Sequence, residues 1–343
     1  MKILIWAMAR ALGDGVNNTG YPREIKRVYP EAQVDLFCTR MHAAAFKGNP
    51  YIDNIYYFNT YNKPFSKITR TKIYLNPLMQ MKNLLKARRE KYDIVIDVDS
   101  SYKWQNRFMV KFIMGGGLQY STRHIVGKLK TNNKRKYSKN KLLKTYTILT
   151  DEKDGSTYTY FNKNIDCLAH DELFIPIEKE DKAINFYKQN TRHNHKVIIF
   201  NGEGSDKSIS SSKIIDTLTA ILDKYPEYYI FILGYNNYYE KYKEIIDTIN
   251  NPRLQMTYKT DILDTFALLK YANLLISVDT ALIHIASAFH INICEIISRL
   301  QKGYYVASPK HSKCIVCENK EKYHTLDGYH IDEVVTAVKQ LIS

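Results

Sequence analysis

Short apolar runs alternate along the chain with longer stretches in which apolar residues return every three or four positions. In the first half the runs Ile3–Trp6, Val34–Cys38, Ile55–Phe58 and Ile94–Val98 read as strands, rich in β-branched and aromatic residues. In the second half Val197–Phe200, Tyr229–Leu233, Leu274–Val278 and Ile291–Ile296 read the same way. Between them Glu24–Tyr29, Leu78–Glu90, Ile214–Lys224, Tyr239–Ile249 and Ile262–Tyr271 follow the helical period. Apolar strands separated by helices predict parallel sheets covered on both faces, an α/β architecture.

A chain of 343 residues exceeds what one core commonly organises, so two domains are expected. The charged segment Asp171–Asp181, with Pro176 near its centre, is the boundary, giving domains over 1–172 and 173–343. The last segment, His330–Ser343, gathers its apolar residues on one helical face that must pack on something, the first domain being one choice. Two doubly wound domains would face a central cleft at the carboxyl ends of both sheets, where such folds bind ligands.

Charge narrows the partners. Fifty Lys+Arg against 35 Asp+Glu give a formal net charge of +15, which favours phosphorylated small molecules, nucleic acid or an anionic membrane. Much of it lies between Arg123 and Lys144, a run without any acidic residue: a solvated loop, or a docking surface for phosphates or lipid head groups. No apolar run approaches the roughly 18 residues of a membrane span. The chain opens directly on a core strand without signal-peptide features, which predicts a cytoplasmic protein. Cys38, Cys167, Cys294, Cys314 and Cys317 show no framework spacing and are expected to be reduced thiols.

Three stretches carry candidate chemistry. In Leu274–Ile296 a strand ends in Asp279-Thr280 and a helix begins almost at once, through Ala281 and His284. Unpaired N–H groups and the dipole at such a helix start bind phosphate well. The alternative is that Asp279 is the N-cap and His284 an ordinary polar residue. Phe200–Leu218 is again strand, glycine-containing loop and helix; its Lys207 is either a phosphate contact or a solvated lysine before a Ser-capped helix. In Ala11–Pro30, Asp14 lies between Gly13 and Gly15 just after the first strand, as an Asx-type turn or as a carboxylate presented to a substrate. The glycines would allow close approach, and Asn17 and Asn18 follow as candidate substrate contacts.

Other chemistries lack their motifs. P-loop and Gly-x-Gly-x-x-Gly spacings, His-Glu-x-x-His and Gly-x-Ser-x-Gly are absent. Cys314 and Cys317 sit in a lysine-rich stretch read as a loop; they supply at most half a zinc site and are read as two ordinary thiols.

Taken together the stretches resemble glycosyltransferase family 9, the ADP-heptose:lipopolysaccharide heptosyltransferases. The matching segments run in family order: "ALGDG" with "IKRVYPEAQVDLF", "NPYIDNIYYF", "KYDIVIDVDSS" and "SVDTALIH". The resemblance implies a GT-B fold of two Rossmann-like domains, the first binding the acceptor and the second the nucleotide-sugar. It implies an inverting enzyme that needs no metal and no cofactor, the ADP-sugar being a co-substrate. Asp14 then matches the catalytic base, Lys207 the lysine on the donor phosphates, and Asp279, Thr280, Ala281 and His284 the loop and helix start around the diphosphate. The implied acceptor is a lipid-anchored phosphorylated core oligosaccharide, with the Arg123–Lys144 run against the inner face of the inner membrane.

The departures from the family pattern concern the donor side. Ala281 stands where the family usually has Gly, "KSIS" replaces Lys-x-Trp-Pro, and "EIISRLQKGYYVASPK" replaces a Gly-Pro-Thr-like loop; elsewhere Gly20 often is Pro. Two alternatives accompany the heptosyltransferase reading: a same-fold transferase for another nucleotide-sugar such as a UDP-hexose, and a basic nucleic-acid-binding protein. The second lacks a helix-turn-helix or an RNA-binding aromatic signature, so no nucleic-acid partner is expected.

Overall fold

Parallel strands cannot be joined by tight turns and need a crossover, usually a helix. The chain builds this arrangement twice. The computed structural model describes residues 1–7, 12–16, 18–58, 76–98, 104–114, 118–121, 172–192, 196–204, 207–234, 237–298, 311–318 and 325–342. The chain divides into two compact units, 1–172 and 173–343.

The first unit holds β1 (Lys2–Ala7), α1 (Leu12–Val16), α2 (Gly20–Val28), β2 (Gln33–Cys38), α3 (Arg40–Ala43), β3 (Asn54–Tyr57), α4 (Pro77–Arg89), β4 (Ile94–Asp97), α5 (Trp104–Met114) and β5 (Leu118–Ser121). Its sheet is wholly parallel, in the order β3-β2-β1-β4-β5. From Ile3 onward β1 is buried, as expected for a central strand covered on both faces. Trp6 anchors one side, its ring centroid 4.8 Å from Phe37 and 4.9 Å from Phe58, and its indole N–H donates to Asn106 of α5. The charge inside β2 is satisfied: buried Asp35 accepts from Tyr92 (2.6 Å), Gln33 (2.9 Å) and Asn54 (3.0 Å).

The second unit holds α6 (Ile177–Asn190), β6 (Lys196–Asn201), α7 (Ser211–Lys224), β7 (Tyr228–Gly234), α8 (Tyr239–Ile249), β8 (Leu254–Lys259), α9 (Ile262–Lys270), β9 (Leu274–Val278), α10 (Ala281–Ala288), β10 (Asn292–Ser298), β11 (Ser312–Cys317) and α11 (Ile331–Ile342). All six strands are parallel, in the order β11-β10-β9-β6-β7-β8. The chain winds outward from β6 to one edge and, after returning, from β9 to the other. At that reversal the loops leaving β6 and β9 run to different sides of the sheet, the position at which doubly wound sheets generally bind ligands. In the first sheet the reversal lies between β1 and β4.

Every interior strand was legible as an apolar run. The strands that were not, β5, β8 and β11, are sheet edges, where one side meets solvent and polar residues dilute the pattern. β11 corrects the reading of Cys314 and Cys317 as part of a loop. Three apart on a strand, they point to opposite faces and cannot close on one ion. Cys317 is buried, its Sγ 3.4 Å from the Leu326 carbonyl that accepts from it.

The apolar face of α11 packs into the core of the second unit. Val334, Ala337 and Val338 join the core with Ile296 and Ile315, and α11 packs on β10, β11 and α7. Tyr225 donates to the Val335 carbonyl (2.9 Å) and Asn292 to that of Leu341 (2.6 Å). Val338→Ala is expected to destabilise the second unit by about 2 kcal/mol through lost burial and a cavity, read as a lower denaturation midpoint at unchanged m-value.

Candidate functional site

The two loops at the reversal of the second sheet, with the helix start that follows, contain Lys207 and Asp279–His284. After Asn201, residues 202–204 and 207–210 bond to one another: Gly204 N–H donates to the Lys207 carbonyl (2.7 Å) and Ile209 N–H to that of Gly202 (2.9 Å). α8 holds this loop from beneath. Its Tyr242 hydroxyl accepts from Gly202 N–H (3.0 Å), and its Lys241 ammonium lies 2.5 Å from a Glu203 oxygen and 2.7 Å from the Ile209 carbonyl. Burial pushes the Glu203 pKa up, while Lys241 opposes that shift. From the other side Leu326 N–H donates to the Ser208 carbonyl (2.9 Å) and Asp327 accepts from Ser210 N–H (2.8 Å). Ser210 caps α7, as the local pattern suggested.

Lys207 is 8% exposed, so its ammonium needs a partner, and Asp279 at the end of β9 supplies one at 2.5 Å. The loops after β6 and β9 are thereby joined across the winding reversal. Asp279 is not the N-cap of α10; Thr280 is, its hydroxyl accepting from Leu282 N–H (3.3 Å). Behind it the Asn201 amide donates to the Ser277 hydroxyl (3.1 Å), which donates to the Val278 carbonyl (2.8 Å). Ala281 opens the helix, no acidic residue lies in its first turn, and a Cβ on Gly204 would stand 3.4 Å from the Thr280 methyl. A lysine beside a capped helix start is suited to hold a phosphate or diphosphate.

Two titratable neighbours set the charge of this region. His284, one turn into α10, has its pKa lowered to about 4 by burial, with the Asp279 charge acting in the opposite direction. It is therefore a neutral imidazole at neutral pH. Glu295 on β10 is 3% exposed and in register with Ser277. Burial, then the charge of Asp279, raises its carboxyl to about 8, and Lys207 opposes this. Glu295 was missed in the sequence, although it is the single charge in the apolar run Ile291–Ile297.

In the first unit the Asp14 stretch forms the short helix α1, not an Asx-type turn. Asp14 is exposed, while Gly13, Gly15 and Asn18 are buried. Gly15 faces protein: a Cβ there would lie 2.8 Å from the His42 carbonyl oxygen and 3.3 Å from the Ala45 side chain, so its role is packing on α3. Asn18 donates to the Asp14 carbonyl (2.8 Å) and fixes the end of α1. Asn17 and the Arg123–Lys144 run lie outside the described residues.

The family described as glycosyltransferase family 9 (heptosyltransferase) matches residues 81–293, more than half of the sequence. The chain belongs to glycosyltransferase family 9. The match includes Lys207 and Asp279–His284; Asp14 precedes it and Glu295 lies just beyond it. Three solved structures show the same fold over nearly the whole chain. A family 9 glycosyl transferase from Veillonella parvula is 14% identical with a TM-score of 0.69, over 99% of this chain and 97% of its own. ADP-heptose lps heptosyltransferase II from E. coli is 13% identical, TM-score 0.63, covering 100% and 98%. The E. coli heptosyltransferase WaaC with ADP is 14% identical, TM-score 0.63, covering 99% and 100%. No curated protein matches the sequence. The two parallel α/β units are thus those of a GT-B glycosyltransferase.

In this family 9 chain the Glu295 proton couples stability to pH. Below about 4.5, the ordinary glutamate value, folded and unfolded states both bind it; from there to about 8 only the folded state does, so this group makes stability fall as pH rises. Glu295→Gln removes the term. Its melting temperature relative to the native chain is expected to rise from pH 5 to 8 and then level; a difference constant over that range contradicts the assignment.

Proposed function

We propose that this glycosyltransferase is an inverting, metal-independent enzyme that moves a heptose from ADP-heptose onto the inner or outer core saccharide of lipopolysaccharide or lipooligosaccharide. The observation that carries the reading is the Lys207–Asp279 pair beside the start of α10, within the span matched by the family. In the proposed reaction Asp14 accepts the proton of an acceptor hydroxyl as that oxygen forms a bond to the anomeric carbon. The bond from that carbon to the diphosphate breaks on the opposite face, so the configuration inverts. Lys207 and the first N–H groups of α10 take up the charge developing on the departing ADP. His284, neutral by burial, would serve there as a hydrogen-bonding group and not as a second cation.

The first unit is read as the acceptor domain and the second as the donor domain. The acceptor is a lipid-anchored phosphorylated oligosaccharide, which puts the enzyme at the inner face of the inner membrane as a peripheral cytoplasmic protein. Among the described residues no helix is long and apolar enough to cross a membrane. The basic Arg123–Lys144 run is the sequence feature in favour of that location.

A second reading, the same chemistry with another nucleotide-sugar such as a UDP-hexose, draws on Ala281 and on the carboxyl of Glu295 near the donor loops. A UDP-GlcNAc 2-epimerase from Neisseria meningitidis bound to UDP-GlcNAc shares the fold at a TM-score of 0.53. The nucleic-acid reading, drawn from net charge alone, gives way to family membership.

A thermal-shift panel of ADP-, UDP-, GDP- and CMP-sugars separates the donors, because a ligand that binds only the folded state raises its melting temperature. The expected result is a shift with ADP-heptose and none with the others. Asp14→Asn is expected to abolish transfer while keeping that shift; full activity would remove Asp14 as the base. Lys207→Ala is expected to weaken donor binding about tenfold or more, the loss of a charge-assisted contact.

A further inference from the structure

α4 and α5 pack together and cover the same side of the first sheet. Leu84 and Ala87 of α4 join Met109, Val110 and Ile113 of α5 in one core with Trp6 and Phe37. Their outer sides are unusual. Leu78 is 78% exposed, Leu85 43% and Phe108 45%, in water-facing positions where a soluble helix ordinarily places polar groups. Leu78, Lys82, Leu85 and Arg89 recur at the helical period and form one exposed stripe. Lys86, Arg88 and Lys111 are exposed beside it. Neither helix contains an acidic residue. Glu90, which follows α4, has its carboxylate 2.7 Å from the Lys2 ammonium. Arg88 joins the two helices into one surface, donating to the Phe112 carbonyl and stacking 4.8 Å from its ring.

We propose that the outer faces of α4 and α5 are a docking surface for an anionic lipid bilayer. Charge complementarity selects the partner: basic side chains meet lipid phosphates while Leu78, Leu85 and Phe108 enter the boundary of the acyl chains. Long basic side chains keep their heads at the phosphates while their stems lie on apolar surface. Nucleic acid would use the cations but gain nothing from two exposed leucines. A second copy docking on the same face would bring like charges together. This takes from the proposed function only the membrane as partner, and places the contact on residues other than the Arg123–Lys144 run.

The test is flotation of the full chain with phosphatidylcholine vesicles, either pure or containing about one-third phosphatidylglycerol. The native protein is expected to bind the anionic vesicles, weakly at high salt, and not the neutral ones. Lys82→Ala with Lys86→Ala should weaken binding about 25-fold, at about fivefold per cation. Leu78→Ser with Leu85→Ser should also weaken it while leaving the salt dependence unchanged. Both variants alter exposed positions and should melt like the native chain. Unchanged vesicle binding in both variants overturns the proposal. So does loss, in the same variants, of equally tight binding to a short DNA duplex or of a dimer. If vesicle binding behaves as stated but no sugar is transferred, the activity fails and the docking surface stands. Transfer to a soluble, lipid-free acceptor by both variants, together with lost vesicle binding, supports each separately.

Discussion

The pairing of Lys207 with Asp279 depends on the way a parallel sheet is wound. Where the strand order reverses between β6 and β9, the following loops leave the sheet as neighbours with no helix between them. A buried ammonium in one loop and a carboxylate in the other satisfy each other at 2.5 Å and fix both loops. The remaining supports converge on this point. Lys241 and Tyr242 hold the first loop from α8, the 326–327 segment holds it from the other side, and Thr280 with Ser277 and Asn201 orders the start of α10. Together these contacts hold the Lys207 ammonium beside Asp279 at the start of α10.

Burial then determines what charge the region presents. Lys207 and Asp279 balance one another, His284 is neutral, and Glu295 retains a proton at neutral pH. With Lys207 neutralised by Asp279, the α10 dipole is the uncompensated positive feature at this point among the described residues. Part of the +15 excess is carried by exposed side chains on the outer faces of α4 and α5. The Lys207 charge is buried and paired, whereas the basic side chains of α4 and α5 are exposed to solvent and salt.

The sequence by itself determined the interior strands, the alternation that makes both sheets parallel, and the stretches on which Asp14, Lys207 and Asp279–His284 lie. These were legible because apolar periodicity and strand–loop–helix order are local properties of the chain. β5, β8 and β11 were not, since an edge strand has one wet side and its pattern depends on its neighbours. Only the tertiary structure decided that Asp279 pairs with Lys207 while Thr280 caps the helix, that Gly15 serves packing against His42, and that α11 completes the second core. It also decided that Glu295, a lone charge in an apolar run, reaches the same site. Each of these depends on which atoms lie within a few ångströms across a long sequence separation, and desolvation at such contacts sets both pairing and protonation.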